Sequence, residues 1–87
     1  MIEKYKIVKK IRTIYNLLEK FITGKYDDVD KIKHKLLELK NKYVIEKIVI
    51  GDEFCSINSL LEAIEQMRDV DRFSRVEKFC ELLYIDD

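Results

Sequence analysis

Between Lys4 and Ile22 the apolar residues Ile7, Ile11, Ile14, Leu18 and Phe21 recur at alternating spacings of four and three, the repeat of one face of an α-helix. Val8, Tyr15 and Ile22 widen that stripe until it can face more than one neighbour, while Lys6, Lys9, Lys10, Thr13, Asn16 and Lys20 occupy the other side. The spacing predicts a helix over 4–22. Gly24 ends it, because glycine just past the last periodic residue can take the left-handed conformation that closes a helix. The following Tyr26-Asp27-Asp28 offers side-chain oxygens to cap the next one. That helix spans 29–43, with Val29, Ile32, Leu36, Leu39 and Tyr43 repeating the same rhythm. A connection this short makes the pair antiparallel, a helical hairpin with its stripes facing inward.

After Tyr43 the rhythm breaks. Val44, Ile45, Ile48, Val49 and Ile50 are β-branched, Gly51-Asp52 is a turn signal, and Glu53–Ile57 can return as a second strand. A short β-hairpin over 44–57 is the expectation, with a rival reading in which the second helix runs on to Ile50 and places Glu46 on its apolar stripe. A two-stranded ribbon is marginal unless it packs on the helices or pairs with another chain. Ser59-Leu60-Leu61-Glu62 has capping-box spacing and predicts a helix over 60–68. A last helix over 70–84 would bury Phe73, Val76, Phe79, Cys80, Leu83 and Tyr84, capped by Asp69 or Asp71, or by Ser74 with Glu77 if it starts later. The tail Asp86-Asp87 is expected to fray. The fold class is therefore mainly α, a bundle of about four helices (4–22, 29–43, 60–68, 70–84) in one domain, 1–87, and α+β if the hairpin forms.

A chain of 87 residues hides only about 60% of the surface it exposes when unfolded, so its core is thin and self-association is expected to help it. No apolar run is long enough to span a membrane, and MIEKYKIVKK lacks the apolar stretch of a secretory signal, which predicts a cytoplasmic protein without a membrane partner. Cys55 and Cys80 are too few for a disulfide framework and, with one histidine, for a tetrahedral zinc site. They read as two buried thiols, or alternatively as one disulfide. With 13 Lys and 9 Glu against 3 Asn and 1 Gln, the composition leans thermophilic. The 12 Ile and single Ala, with no Pro or Trp, suggest an AT-rich coding sequence. A low-GC bacterium, a thermophilic archaeon, or a virus or plasmid of either fits both biases.

The net charge is zero, but residues 1–48 hold 13 Lys/Arg against 7 Asp/Glu, a charge of +6, and residues 49–87 hold 4 against 10, a charge of −6. Such asymmetry can serve phosphates on the basic half, join the two halves within or between subunits, or reflect no more than differing solvated helix faces.

The residues offer little to catalysis. Nucleophilic chemistry needs a base, and the only imidazole, His34, falls on the lysine side of its helix. Gly24 and Gly51 stand alone, which rules out a P-loop or dinucleotide fingerprint, and Asp27, Asp28 and Asp30 lack the glycine and glutamate of a calcium loop. Asp52, Glu53, Asp69 and Asp71 flank turns and helix starts, where the macrodipole favours negative charge. The reading is no catalytic residue, cofactor, metal or small-molecule substrate.

Two binding functions remain. The first is a non-enzymatic inhibitor or adaptor, from a virus or mobile element, that forms a homo-oligomer and contacts another protein through the wide stripe, the β-rich edge and its tyrosines and phenylalanines. The second is a nucleic-acid-binding or regulatory protein using Lys6, Lys9, Lys10, Lys20, Lys31, Lys33, Lys35, Lys40 and Lys42. Base reading is poorly supported in this half, which offers only Arg12, Asn16 and Asn41. The acidic junction after Gly24 would also repel phosphate.

Overall fold

A computed structural model describes residues 2–83, with side-chain environments for 4–82. Tyr84 and the tail Asp86-Asp87 lie outside the described residues, as does the Leu83 side chain. The order is α1 (Ile2–Ile22), α2 (Val29–Lys42), β1 (Lys47–Ile50), β2 (Glu53–Ser56), α3 (Ile57–Gln66) and α4 (Arg75–Leu83), with single 3₁₀ turns at Met67–Asp69 and Arg72–Ser74. The fold is mainly α with a short antiparallel hairpin, as the periodicity predicts.

α1 ends in a Schellman closure. Gly24 has φ +81°, its N–H donates to the Phe21 carbonyl, and the Lys25 N–H donates to the Lys20 carbonyl at 2.8 Å. A Cβ on Gly24 would also meet the Arg72 Cβ at 3.2 Å. Asp28 then caps α2, accepting from the Lys31 N–H at 3.0 Å. The two stripes meet as expected: Ile14, Leu18 and Phe21 of α1 and Val29, Ile32, Leu36 and Leu39 of α2 are all buried.

The rival long second helix does not form. Val44, with φ +56°, turns the chain sharply, and the Ile45 N–H closes back on the Leu39 carbonyl at 3.0 Å. β1 pairs with β2 in the register Ile48↔Cys55, Val49↔Phe54 and Ile50↔Glu53 around a two-residue turn opened by Gly51 at φ +65°. Alternation sends Ile48 and Cys55 into the core and turns Val49 and Phe54 outward.

Two expectations shift. The third helix starts one turn earlier than the Ser59 box implies, because Ser56 is the true cap: its Oγ accepts from the Ser59 N–H at 3.0 Å and its hydroxyl donates to Ser59 Oγ. The earlier start lets Ile57 join Leu60, Ala63, Ile64 and Met67 in the core. The fourth helix is shorter and rotated. It begins at Arg75, and the face expected to be apolar is largely in water: Phe73 is 89% exposed, and Val76 and Cys80 are exposed too. Phe79 is buried and Leu82 is partly buried, on the same face as Arg75.

Arg75 explains that rotation. Only 6% exposed, it donates through Nη1 to the carbonyls of Phe21 and Tyr26, both at 3.1 Å, and places Nη2 2.9 Å from Asp27 Oδ1. Its guanidinium stacks 4.3 Å from the centre of the Phe21 ring. A cation here meets the negative end of the α1 dipole and satisfies carbonyls at a buried turn. Its buried Nε has no hydrogen-bond partner.

Replacing Arg75 by alanine leaves the Phe21 carbonyl with the Gly24 N–H alone and takes the side-chain donor from the Tyr26 carbonyl, and should cost about 2 kcal/mol in urea unfolding, a value discounted because Asp27 stays half in water. Arg75→Lys should recover little of it, since an ammonium cannot reproduce the planar fork. Val44→Gly should act in the opposite sense. It relieves a β-branched residue held in left-handed backbone at the loss of a largely exposed side chain, adding about 1 kcal/mol, or roughly 4–8 °C in Tm.

Candidate functional site

The α1–α2 hairpin sorts the nine candidate lysines into three groups. Helical phase places Lys6, Lys9 and Lys10 on one side of α1, and Lys31, Lys35 and Lys42 on one side of α2. Antiparallel packing brings the start of α1 against the end of α2. There Lys6, Lys9, Lys10 and Lys42 surround Tyr43 in a concavity of about 350 Å³. Lys9 and Lys10 also line a neighbouring notch of about 110 Å³ with Thr13, Ile14, Lys35 and Glu38. Four of the nine therefore gather at one end of the hairpin, with Lys35 beside them midway along α2.

Aromatic rings are interleaved with them. Lys10 and Lys42 stand 5.9 and 5.6 Å from the centre of the Tyr43 ring, and Lys9 stands 5.5 Å from that of Tyr5, whose side chain is 64% exposed. One carboxylate intrudes, with Glu38 Oε2 3.5 Å from Lys10 Nζ. The sequence reading counted Tyr43 as core and passed over Tyr5. The signals were the step of four from Tyr5 to Lys9 and the adjacency of Lys42 and Tyr43.

The other four lysines lie elsewhere. Lys33 pairs with Glu65, and Lys40 donates to Asn58 Oδ1 at 2.7 Å, so both turn toward α3. Lys20 and Lys31 are exposed toward the Gly24 connection. Charge reversal at Lys33 or Lys40 would thus disturb helix packing before it tested any ligand. At the junction the acidic run is partly neutralised: Asp27 pairs with Arg72 and Arg75, and Asp30 with Arg68.

A second surface is apolar. Tyr15, Leu18 and Ile22 of α1, Val49, Ile50 and Gly51 of the hairpin, and Phe79 of α4 line an open cleft of about 420 Å³, with Glu19 at its rim. It exists because the α1 stripe is broader than α2 can cover and the hairpin and α4 do not close over the remainder. Beside it the outward pair Val49 and Phe54 leaves Phe54 75% exposed.

His34 is exposed on α2 and hydrogen-bonds to no described side chain. Both cysteines are free, which overturns the disulfide alternative. Cys55 is buried and its thiol is pushed up, first by burial and then by the Glu53 charge, whereas Cys80 is exposed, contrary to the expectation of two buried thiols. No family model, curated protein or solved structure matches the chain.

The titration behaviour of the molecule centres on Glu65 rather than on either surface. Hydrogen bonds from Arg68 and then Lys33 hold its carboxyl at about 2 against an ordinary 4.5, and the Arg68 hydrogen bond and charge lower Asp30 as well. A carboxyl depressed by folding stabilises the fold above its unfolded value and loses that contribution as pH falls through its folded value. Thermal stability should therefore drop between pH 4.5 and about 2, and Glu65→Gln should flatten the drop while lowering stability at neutral pH.

Proposed function

We propose that this is a non-enzymatic, cytoplasmic binding protein that self-associates through the cleft between α1, the β-hairpin and α4, and acts through protein–protein contacts. The observation that carries the reading is the apolar surface itself: Tyr15, Ile22, Val49 and Phe79 around the cleft, continued by Phe54 on the adjoining strand. Apolar side chains left exposed beside an open cleft offer a surface that a partner can cover. Its occupant is a second copy of the chain. Both strands of the two-stranded sheet are edge strands, and such a ribbon is marginal until another strand or an apolar face joins it. A copy meeting the hairpin would supply both and would enlarge a thin core.

No helix of the described residues is long and apolar enough to cross a membrane.

Light scattering on reduced protein should give the mass of a dimer at both low and high salt, because burial of apolar surface is not screened. Phe54→Ser and Val49→Lys alter exposed side chains, so each should keep the far-ultraviolet circular dichroism of the parent. Each should weaken the dimer by roughly 30-fold or more if the residue is a centre of the interface. A parent protein that stays monomeric across the accessible concentration range ends this reading.

A further inference from the structure

We infer that the lysine and tyrosine end of the α1–α2 hairpin is a binding site for single-stranded nucleic acid, separate from the apolar cleft and independent of it. Proteins that hold single strands without reading sequence combine a cationic track for the backbone with aromatic faces on which bases stack. Both components are present together here. Lys6, Lys9, Lys10 and Lys42 line one concavity about Tyr43, Lys35 extends the charge through the neighbouring notch, and Lys9 links the Tyr43 site to the exposed ring of Tyr5. The ammonium groups lie 5.5–5.9 Å from the ring centres, at the outer limit of a cation–π contact, so a base can displace them onto its own phosphates.

The chemistry selects among anionic partners. A site for duplex DNA would place an element in a groove with Arg, Asn or Gln at base edges, whereas lysines and Tyr43 line this concavity. Lysine neutralises phosphate as a point charge, and tyrosine stacks on any base, so the ligand is recognised as a single strand and not by its sequence. An acidic protein segment would use the lysines but not the rings. The acidic junction offers no objection at this end. It lies about 20 Å along α1 from Lys9, more than two screening lengths at physiological salt, and Asp27 and Asp30 are already paired with arginines. Among the described side chains Glu38 is the carboxylate within the cluster, and a phosphate has to compete with it for Lys10.

The test is fluorescence anisotropy of the full chain with a labelled oligothymidylate of about 15 nucleotides, a length within reach of one small domain. Binding is expected at low salt, with log affinity falling against log salt at a slope near −3 if about four phosphates are neutralised. Lys9→Gln with Lys42→Gln should reduce that slope by about one or more. Tyr5→Ala, at an exposed ring, should lower affinity roughly 5- to 100-fold and leave the slope unchanged, while Tyr43→Phe should bind as the parent does, because it keeps the stacking face. Phe54→Ser should have no effect, which separates this site from the self-association surface. The inference is overturned if oligothymidylate does not bind at low salt. It is equally overturned if Tyr5→Ala and Tyr43→Ala, both shown to be folded, bind as the parent does, or if polyglutamate or a duplex competes as well as the single strand.

Discussion

The fold turns on one buried cation. Arg75 reaches from the first turn of α4 to the Phe21 carbonyl at the end of α1 and the Tyr26 carbonyl of the following connection, and it stacks on the Phe21 ring while pairing with Asp27. These contacts join residues about 50 positions apart in the chain, so the C-terminal helix is held by polar geometry as much as by apolar burial. They also set the rotation of α4. With Arg75 turned inward, Phe79 and Leu82 follow it by helical spacing and Phe73 and Val76 are left in water. The apolar cleft and its Phe79 wall exist in their present form because of that rotation.

The opposite charges of the two halves are only partly consumed by folding. Four ion pairs among the described residues join the halves, and three of them run against the overall polarity, setting first-half aspartates on second-half arginines. Only Lys33–Glu65 runs with it. The three pairs that do not involve Arg75 are partly exposed and contribute little individually, but the arrangement of all four removes negative charge from the basic half rather than positive. The lysines at the start of α1 and the end of α2 therefore remain a concentrated cationic surface, into which Glu38 is drawn. Polarity and apolarity are displayed on different parts of the molecule, so the proposed contact between copies and the proposed site for a single strand would not overlap.

Much of the architecture was legible from residue spacing. The three-four stripes of α1 and α2, the stop at Gly24, the Asp28 cap and the Gly51-Asp52 turn are local signals, and each acts through backbone geometry within a few residues. α3 was placed one turn late because two serines three residues apart both fit a cap, and only burial of Ile57 decides between them. The face of α4 was misjudged because hydropathy ranks an arginine as solvent-facing. The structure divides the lysine candidates: Lys33 and Lys40 share a helix with Lys35 and Lys42, yet point to a different neighbour. Nothing in the order of residues marks Val44 for left-handed backbone, a conformation that its β-branched side chain disfavours.

By itself, then, the sequence determined the number and kind of elements, the antiparallel pairing of the first two helices, the alternation within the hairpin and the segregation of charge, because all of these follow from short-range periodicity and composition. Only the tertiary structure decided which side of α4 is interior, which lysines converge with Tyr5 and Tyr43, and which apolar residues remain uncovered. Those outcomes depend on carbonyls, rings and carboxylates brought together from distant parts of the chain, and their energies do not exist until the helices have packed.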